Sequence, residues 1–501
     1  MKNSIKKTLA LLLVCCMASQ SGWAFCGFYV AKAGAELFNN KSQVILVRNG
    51  NKTTITMAND FKGDAKDFAM VVPVPVVLQR KDIKVVNNQL FAKLDAYSAP
   101  RIVEYYDDSP CAMVYREYKN MLSSQEALKA DVVEDSEELG NNYNVKIEAK
   151  YSVEEYDVLI LSAKESNGLK RWLTDNDYSI PKKAEEVLDP YIKNGLKFFV
   201  VKVNLEKQKQ MDEGYLRPLQ ISFEHERFML PIRLGMANAN GEQDMIVYAF
   251  SNKGRIETAN YRTVKVPSNR NIPLFVENRF DRFYKDMFEK NYKTEGRNAV
   301  FLEYAWDLSP RNYVKCDPCV GEVPNYEDLL TAGVNWLNTM GNSINQQANV
   351  YFTRLHVRYT RDKFPQDLML METYNTESFQ GRYIITHPAK GDFSCSAGQD
   401  YLYNLQMKRG KELQELAALT GWDTEKYGYY ANEYSDLINK QENEKVEDVK
   451  ENNLSPFFDG TTPTNDGKGN QWQLLFYLSL AAFVLLSAFH IRQLWLSKLK
   501  N

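Results

Sequence analysis

The chain has 501 residues, 44% of them hydrophobic and 25% charged, which excludes a disordered tail, a lone small domain and a polytopic membrane protein. Six basic residues, Lys2, Lys6, Lys7, Arg492, Lys498 and Lys500, lie at the two ends, so residues 25–470 hold 62 − 6 = 56 basic residues against all 64 acidic ones. The resulting formal charge of −8 gives no global attraction to nucleic acid or to an anionic lipid surface, and no nucleic-acid partner is expected.

Residues 1–24 carry Lys2, Lys6 and Lys7, then an apolar run over 9–17, then small residues ending in Gly22-Trp23-Ala24, the layout of a secretory signal. The run is well short of the roughly 20 residues that span a bilayer, so export with cleavage after Ala24 is expected. Residues 44–48 and 53–57 are β-rich and flank Asn49-Gly50-Asn51, which predicts a hairpin. An apolar run over 68–78 contains Pro73 and Pro75, which remove ladder donors and predict an edge strand or the rim of a sheet. A short helix is expected over 89–97.

Residues 107–144 turn polar, with Asp131, Glu134, Asp135, Glu137 and Glu138 close together, and read as a solvated insertion. Strands are then expected at 145–151 and 156–161, helices at 165–174 and 181–193, and strands at 197–205, 219–223, 228–234 and 244–251. A second unit is expected to begin near Pro273. It holds an aromatic helix over 275–292, strands at 300–306, 348–360, 368–372 and 382–386, and a helix over 402–419.

Residues 441–470 are rich in Glu, Asn, Asp, Gly and Thr and read as a flexible tether. No charge occurs over 474–489, and Trp472 and Trp495 mark the two interfaces of a membrane helix expected over 471–492. The basic residues beyond it place a tail of residues 493–501 in the cytoplasm by the positive-inside rule. The expected architecture is therefore α+β: an exported ectodomain of two lobes, 25–270 and 271–440, with mixed or antiparallel sheets and packed helices, plus one carboxy-terminal transmembrane helix.

Several segments carry a family resemblance. They are 61–75, with Lys62-Gly63-Asp64 and Val72-Pro73-Val74-Pro75; Leu94-Asp95-Ala96-Tyr97-Ser98-Ala99-Pro100-Arg101; Tyr156-Asp157-Val158; and Leu173-Thr174-Asp175-Asn176-Asp177-Tyr178-Ser179-Ile180-Pro181. Further along come Leu230-Pro231-Ile232-Arg233-Leu234, Cys316-Asp317-Pro318-Cys319, and 351–359 with Arg354, His356 and Arg358. In this order the series resembles exported bacterial proteins grouped as domain of unknown function 2330, over most of residues 25–375. The resemblance implies an export signal and often a carboxy-terminal anchor, with no assigned reaction. That family often has a second cysteine shortly after the first exported one, whereas here Cys26 stands alone in its region.

Cleavage after Ala24 leaves Cys26, Cys111, Cys316, Cys319 and Cys395, an odd set from which structural disulfides and one unpaired thiol are expected. Cys316 and Cys319, beside Lys315, also have the spacing of a redox-active pair. A metal site would need Cys316, Cys319, Cys395 and His387 or His356 to converge, at a spacing that matches no compact zinc pattern. His225, between Glu224 and Glu226, reads as a solvated strand or turn residue. Arg354, His356 and Arg358 alternate along a strand and form a basic stripe that either receives an anion or faces solvent, with solvent favoured.

No nucleophile elbow, phosphate loop, dinucleotide fingerprint or paired-carboxylate signature is recognisable, and no cofactor is expected. The expected role is non-enzymatic, a membrane-anchored binding or envelope-assembly component in the periplasm or at the cell surface, with an envelope protein or a glycan as partner. The alternative is a membrane-tethered thiol–disulfide or cysteine–metal protein using Cys316 and Cys319.

Overall fold

The computed structural model describes residues 28–29, 42–58, 69–111, 145–176, 184–204, 216–237, 241–312, 321–338 and 343–439. The expected signal, the tether, the span at 471–492 and residues 112–144 of the polar insertion lie outside them. Among the described residues, no helix is long and apolar enough to cross a membrane.

The first hairpin follows from its turn. Strands β1 (Ser42–Asn49) and β2 (Lys52–Met57) pair with Asn49 opposite Lys52, which leaves Gly50 and Asn51 as a two-residue loop. Gly50 has φ 59°, so the left-handed step falls on the one loop residue without a Cβ. The hairpin joins a nine-stranded sheet with β3 (Ile83–Val85), β4 (Leu219–Glu224), β5 (Gln243–Ser251), β6 (Arg262–Lys265), β7 (Ala299–Asp307), β8 (Tyr351–Tyr359) and β9 (Phe379–Gln380). The order is β6-β7-β8-β5-β1-β2-β4-β3, and β9 pairs with β7. Most neighbours are antiparallel, whereas β5–β1 and β6–β7 are parallel. This sheet draws strands from both sides of residue 270, where a boundary between lobes is expected, and the described residues up to Ile438 group as one unit.

A five-stranded sheet lies against one face of the nine-stranded one. It contains Ala69–Val74, Lys197–Val203, Tyr156–Ala163 and Val145–Val153 in that order, with Phe28–Tyr29 at its edge. Met70, Val72, Val158, Phe199 and Val201 from this sheet pack with Val44, Leu46, Val247, Leu302 and Leu355 from the other in one buried cluster. Pro73 is accommodated because Phe28–Tyr29 pairs only with Met70 and Val71, so the missing donor falls outside that short pairing.

Helices cover the two outer faces. α1 (Gln89–Ser98) lies on the nine-stranded sheet, and α2 (Ser166–Asp175) and α3 (Ala184–Lys193) lie on the five-stranded sheet. α4 (Phe280–Thr294) and α5 (Tyr326–Ala332) also pack on the nine-stranded sheet, giving a helix–sheet–sheet–helix stack. With both faces covered, every residue of β5 is buried. α6 (Ser396–Thr420) packs against α4 and a small parallel sheet of Arg270–Asn271, Arg382–His387 and Arg101–Tyr106.

The α+β class is observed. The helix expected at 89–97 spans Gln89–Ser98, while the aromatic helix begins later than expected, because Leu274–Arg279 forms a 3-10 turn first. The strand expected at 228–234 reduces to Met229–Leu230.

Candidate functional site

The helix-covered face of the nine-stranded sheet carries a continuous chain of buried charges. Its geometry begins with an irregularity in β7. Leu302 pairs with Leu355 and Tyr304 with Arg354, so Glu303 is an extra residue in the ladder, a β-bulge. Strict alternation would send Tyr304 to the face between the sheets, where Leu302 and Ala305 pack. The bulge instead lets Glu303 and Tyr304 share the helix side, Glu303 among the charges and Tyr304 in the apolar cluster beneath α1 and α5.

Arg354 Nε donates to Glu303 Oε2 at 2.6 Å, and its Nη1 reaches Asp95 Oδ1 of α1 at 2.8 Å. His356 is held by Glu303 Oε1 at Nδ1 (2.8 Å) and by Asp244 Oδ1 at Nε2 (3.0 Å). Arg358 clamps Asp244 through Nε and Nη2, both at 2.8 Å, and its Nη1 meets Glu289 of α4 at 2.7 Å. The hydroxyl of Tyr284, also on α4, donates to Glu303 Oε1, and that of Tyr248 donates to Asp95 at 2.7 Å. Phe288 stacks on the imidazole with centroids 3.9 Å apart. Arg354 and Glu303 are only 3% and 1% exposed, a burial that charged groups tolerate only when paired.

The expectation that the Arg354, His356 and Arg358 stripe faces solvent is therefore corrected. α1 and α4 cover it, and the anions it receives are the chain's own carboxylates. The overlooked signal was Glu303, a carboxylate in the middle of the otherwise apolar run 299–306, which needs a buried cation.

The electrostatics follow from this pairing. Burial alone would lower the His356 pKa, but the Glu303 charge and the hydrogen bonds to Asp244 and Glu303 raise it above 6.5. Burial would raise Glu303, and the charges of His356 and Arg354 override that and hold it well below its ordinary 4.5. Asp244 is likewise pushed up by burial but held well below 3.8 by His356 and then Arg358. The two carboxylates thus stabilise the fold above their unfolded values and lose that contribution as pH falls through the lowered folded ones. His356 contributes fully below its unfolded 6.5 and loses its contribution as pH rises through the raised folded value.

The network's contribution should accordingly be largest between about pH 4.5 and 6.5. The chain has four histidines, so proton NMR can resolve them, and the His356 imidazole is expected to keep its proton to a pH above its ordinary 6.5. Ordinary titration of all four would show that the network is not ionic. With both ring nitrogens taken by carboxylates, His356 has no lone pair to offer a substrate, and the arrangement ties α1 and α4 to the sheet.

The other expected site residues lie apart from this network. Cys111 and Cys395, 284 positions apart in sequence, form a disulfide with Cα atoms 6.0 Å apart. Cys395 caps the first turn of α6, so the bond fixes the start of that helix. Cys26, Cys316 and Cys319 lie outside the described residues, and so does any pairing among them. Of the suggested metal set, Cys395 is engaged in the disulfide, while His387 bonds Glu104 at 3.0 Å and stacks on Tyr106 at 4.3 Å. Among the described residues, no group of three or more His, Cys, Asp or Glu side chains could hold a metal ion. His225 occupies a turn, its Nδ1 accepting from the Arg227 backbone at 3.1 Å.

A second polar feature is an open groove of about 370 Å³ between α6 and the edge strand Arg270–Asn271. Its walls carry Asn269, Arg270 and Asn271 on one side and Asn404, Lys408 and Lys411 on the other.

Comparison with curated proteins finds no match. Among solved structures, the chain is similar to a mutated baculovirus P35 after caspase cleavage, at 12% identity and a TM-score of 0.21. That similarity covers 43% of this chain, which spans 66% of the baculovirus chain, just under two thirds of it. A family model matches residues 20–371, well over half of the sequence, and the chain belongs to that family, DUF2330, uncharacterized proteins conserved in bacteria.

Proposed function

We propose that the chain is an exported protein held at the membrane by residues 471–492, and that its ectodomain is a non-enzymatic binding or envelope-assembly component with an envelope protein or a glycan as partner. The observation that carries the reading is the Cys111–Cys395 bond. Disulfides persist in oxidising compartments and are rare where the glutathione and thioredoxin systems keep thiols reduced, so a cross-link joining distant parts of the chain favours export. The internal pairing of the buried charges also suits a binding module, because the Arg354, His356, Glu303 and Asp244 side chains are engaged with one another in holding the fold.

Rapid alkylation of bacteria that produce the full chain, followed by non-reducing peptide mass spectrometry of each fraction, tests this. The expected result is a linked Cys111–Cys395 peptide in the membrane fraction. Free thiols at both positions in a soluble fraction would overturn the reading. Finding Cys316 and Cys319 mixed or easily reduced in that experiment would instead favour thiol–disulfide exchange at that pair.

A further inference from the structure

We infer that the groove between α6 and the edge strand Arg270–Asn271 binds a short saccharide bearing carboxylate groups. This rests on the reading of the ectodomain as a binding module and deepens it by naming a site and a ligand class.

The helix side of the groove is a single stripe. Asn404, Lys408, Lys411 and Glu415 recur at three- and four-residue spacing, so they line one face of α6 over about 16 Å. The opposite face of the helix is pinned. Arg409 is buried, donates to the Tyr430 carbonyl at 3.0 Å and lies over the Tyr430 ring at 4.4 Å, while Leu416 and Leu419 pack against α4. The disulfide fixes the helix at its start, and Lys290 caps the carbonyl of Ala417 near its end at 3.2 Å. The stripe is therefore presented on a rigid element.

The charges in the groove do not cancel. Arg270 Nε sits 3.5 Å from Glu415 and is offset by it. Glu412 is buried and accepts the Tyr430 hydroxyl at 2.7 Å. Lys408 lies 3.9 Å from Asp107 and also interacts with the charge of Glu412 one turn along the helix. Lys411 is exposed and has no ion-pair partner among the described residues. The lining thus sets three cations against two carboxylates, and the Lys411 ammonium remains to receive an anion.

The amides select the rest of the ligand. Asn271 and Asn404 each offer a donor pair and an acceptor, and Asn269, whose Oδ1 already accepts from Arg382 Nε, offers its donor pair, together matching sugar hydroxyls that both give and take hydrogen bonds. A peptide would need apolar pockets for its side chains, and the lining supplies one apolar side chain, Met407. A bare inorganic anion would leave the amide acceptors unanswered.

The test is calorimetric titration of the full-length chain in detergent with trigalacturonic acid, neutral galactotriose, a triglutamate peptide and inorganic phosphate. Trigalacturonic acid is expected to bind at least tenfold more tightly than the other three. Lys411→Glu, at an exposed position, should weaken that binding tenfold or more while leaving the unfolding temperature unchanged, as expected for loss of a charge-assisted hydrogen bond. Equal affinity for galactotriose, phosphate or the peptide would overturn the assignment, as would no binding of trigalacturonic acid or binding insensitive to Lys411→Glu. Failure here is distinguishable from failure of the export reading, which is decided by disulfide state and fractionation.

Discussion

Glu303→Ala is expected to lower the unfolding free energy by about 3–5 kcal/mol, the range found when one member of a buried ion pair is removed. The reason is that Glu303 faces two cations, Arg354 Nε at 2.6 Å and His356 Nδ1 at 2.8 Å, and both would be left in a dry site with a carboxylate missing. Urea unfolding measures the loss. Glu303→Gln keeps the shape and an acceptor while removing the charge, so it should cost less and release His356 toward its ordinary pKa, visible as a shifted imidazole signal. A loss under about 1 kcal/mol for the alanine variant would show the network to be energetically idle.

Cys111→Ser and Cys395→Ser should each destabilise the chain by about 2–5 kcal/mol, and the double variant by no more than either single one. The bond joins residues 284 apart, so its removal restores a large conformational freedom to the unfolded chain. Thermal unfolding of the three variants under non-reducing conditions reads this. Additive losses would mean that the two sulfurs act separately, contrary to a shared bond.

Local chemistry made part of this fold legible and left the rest hidden. The first hairpin is readable because Asn49-Gly50-Asn51 permits little else between two β-rich runs. The helix at Gln89–Ser98 is readable from its apolar spacing. The short strands Ile83–Val85, Ile256–Thr258 and Arg262–Lys265 are not, because so few residues carry no periodic signal and their stability comes from partners far away in sequence.

The buried network was half visible. Alternation of Arg354, His356 and Arg358 correctly places them on one face, but a polar face can meet either water or opposite charge, and alternation cannot distinguish these. Asp95, Asp244 and Glu303 come from three other elements, and only the fold brings them together. The groove is harder still. Residues 269–271 and 404–415 belong to segments with no local relation, joined by the packing of α6 beside an edge strand.

The cross-link at Cys111 and Cys395 also decides how the molecule would respond to mechanical load. A pull applied at the two ends of the chain passes from residue 111 to residue 395 through the sulfur bridge, so the segment between them carries no tension. That segment includes strands β4 to β9, hence most of the nine-stranded sheet. With the bridge intact, stretching can release only the flanking sequence, and the contour length held back is on the order of 950 Å at about 3.3–3.6 Å per residue. Reducing the bridge would expose the sheet to force from end to end, so the bond acts as a mechanical shunt as well as a thermodynamic constraint.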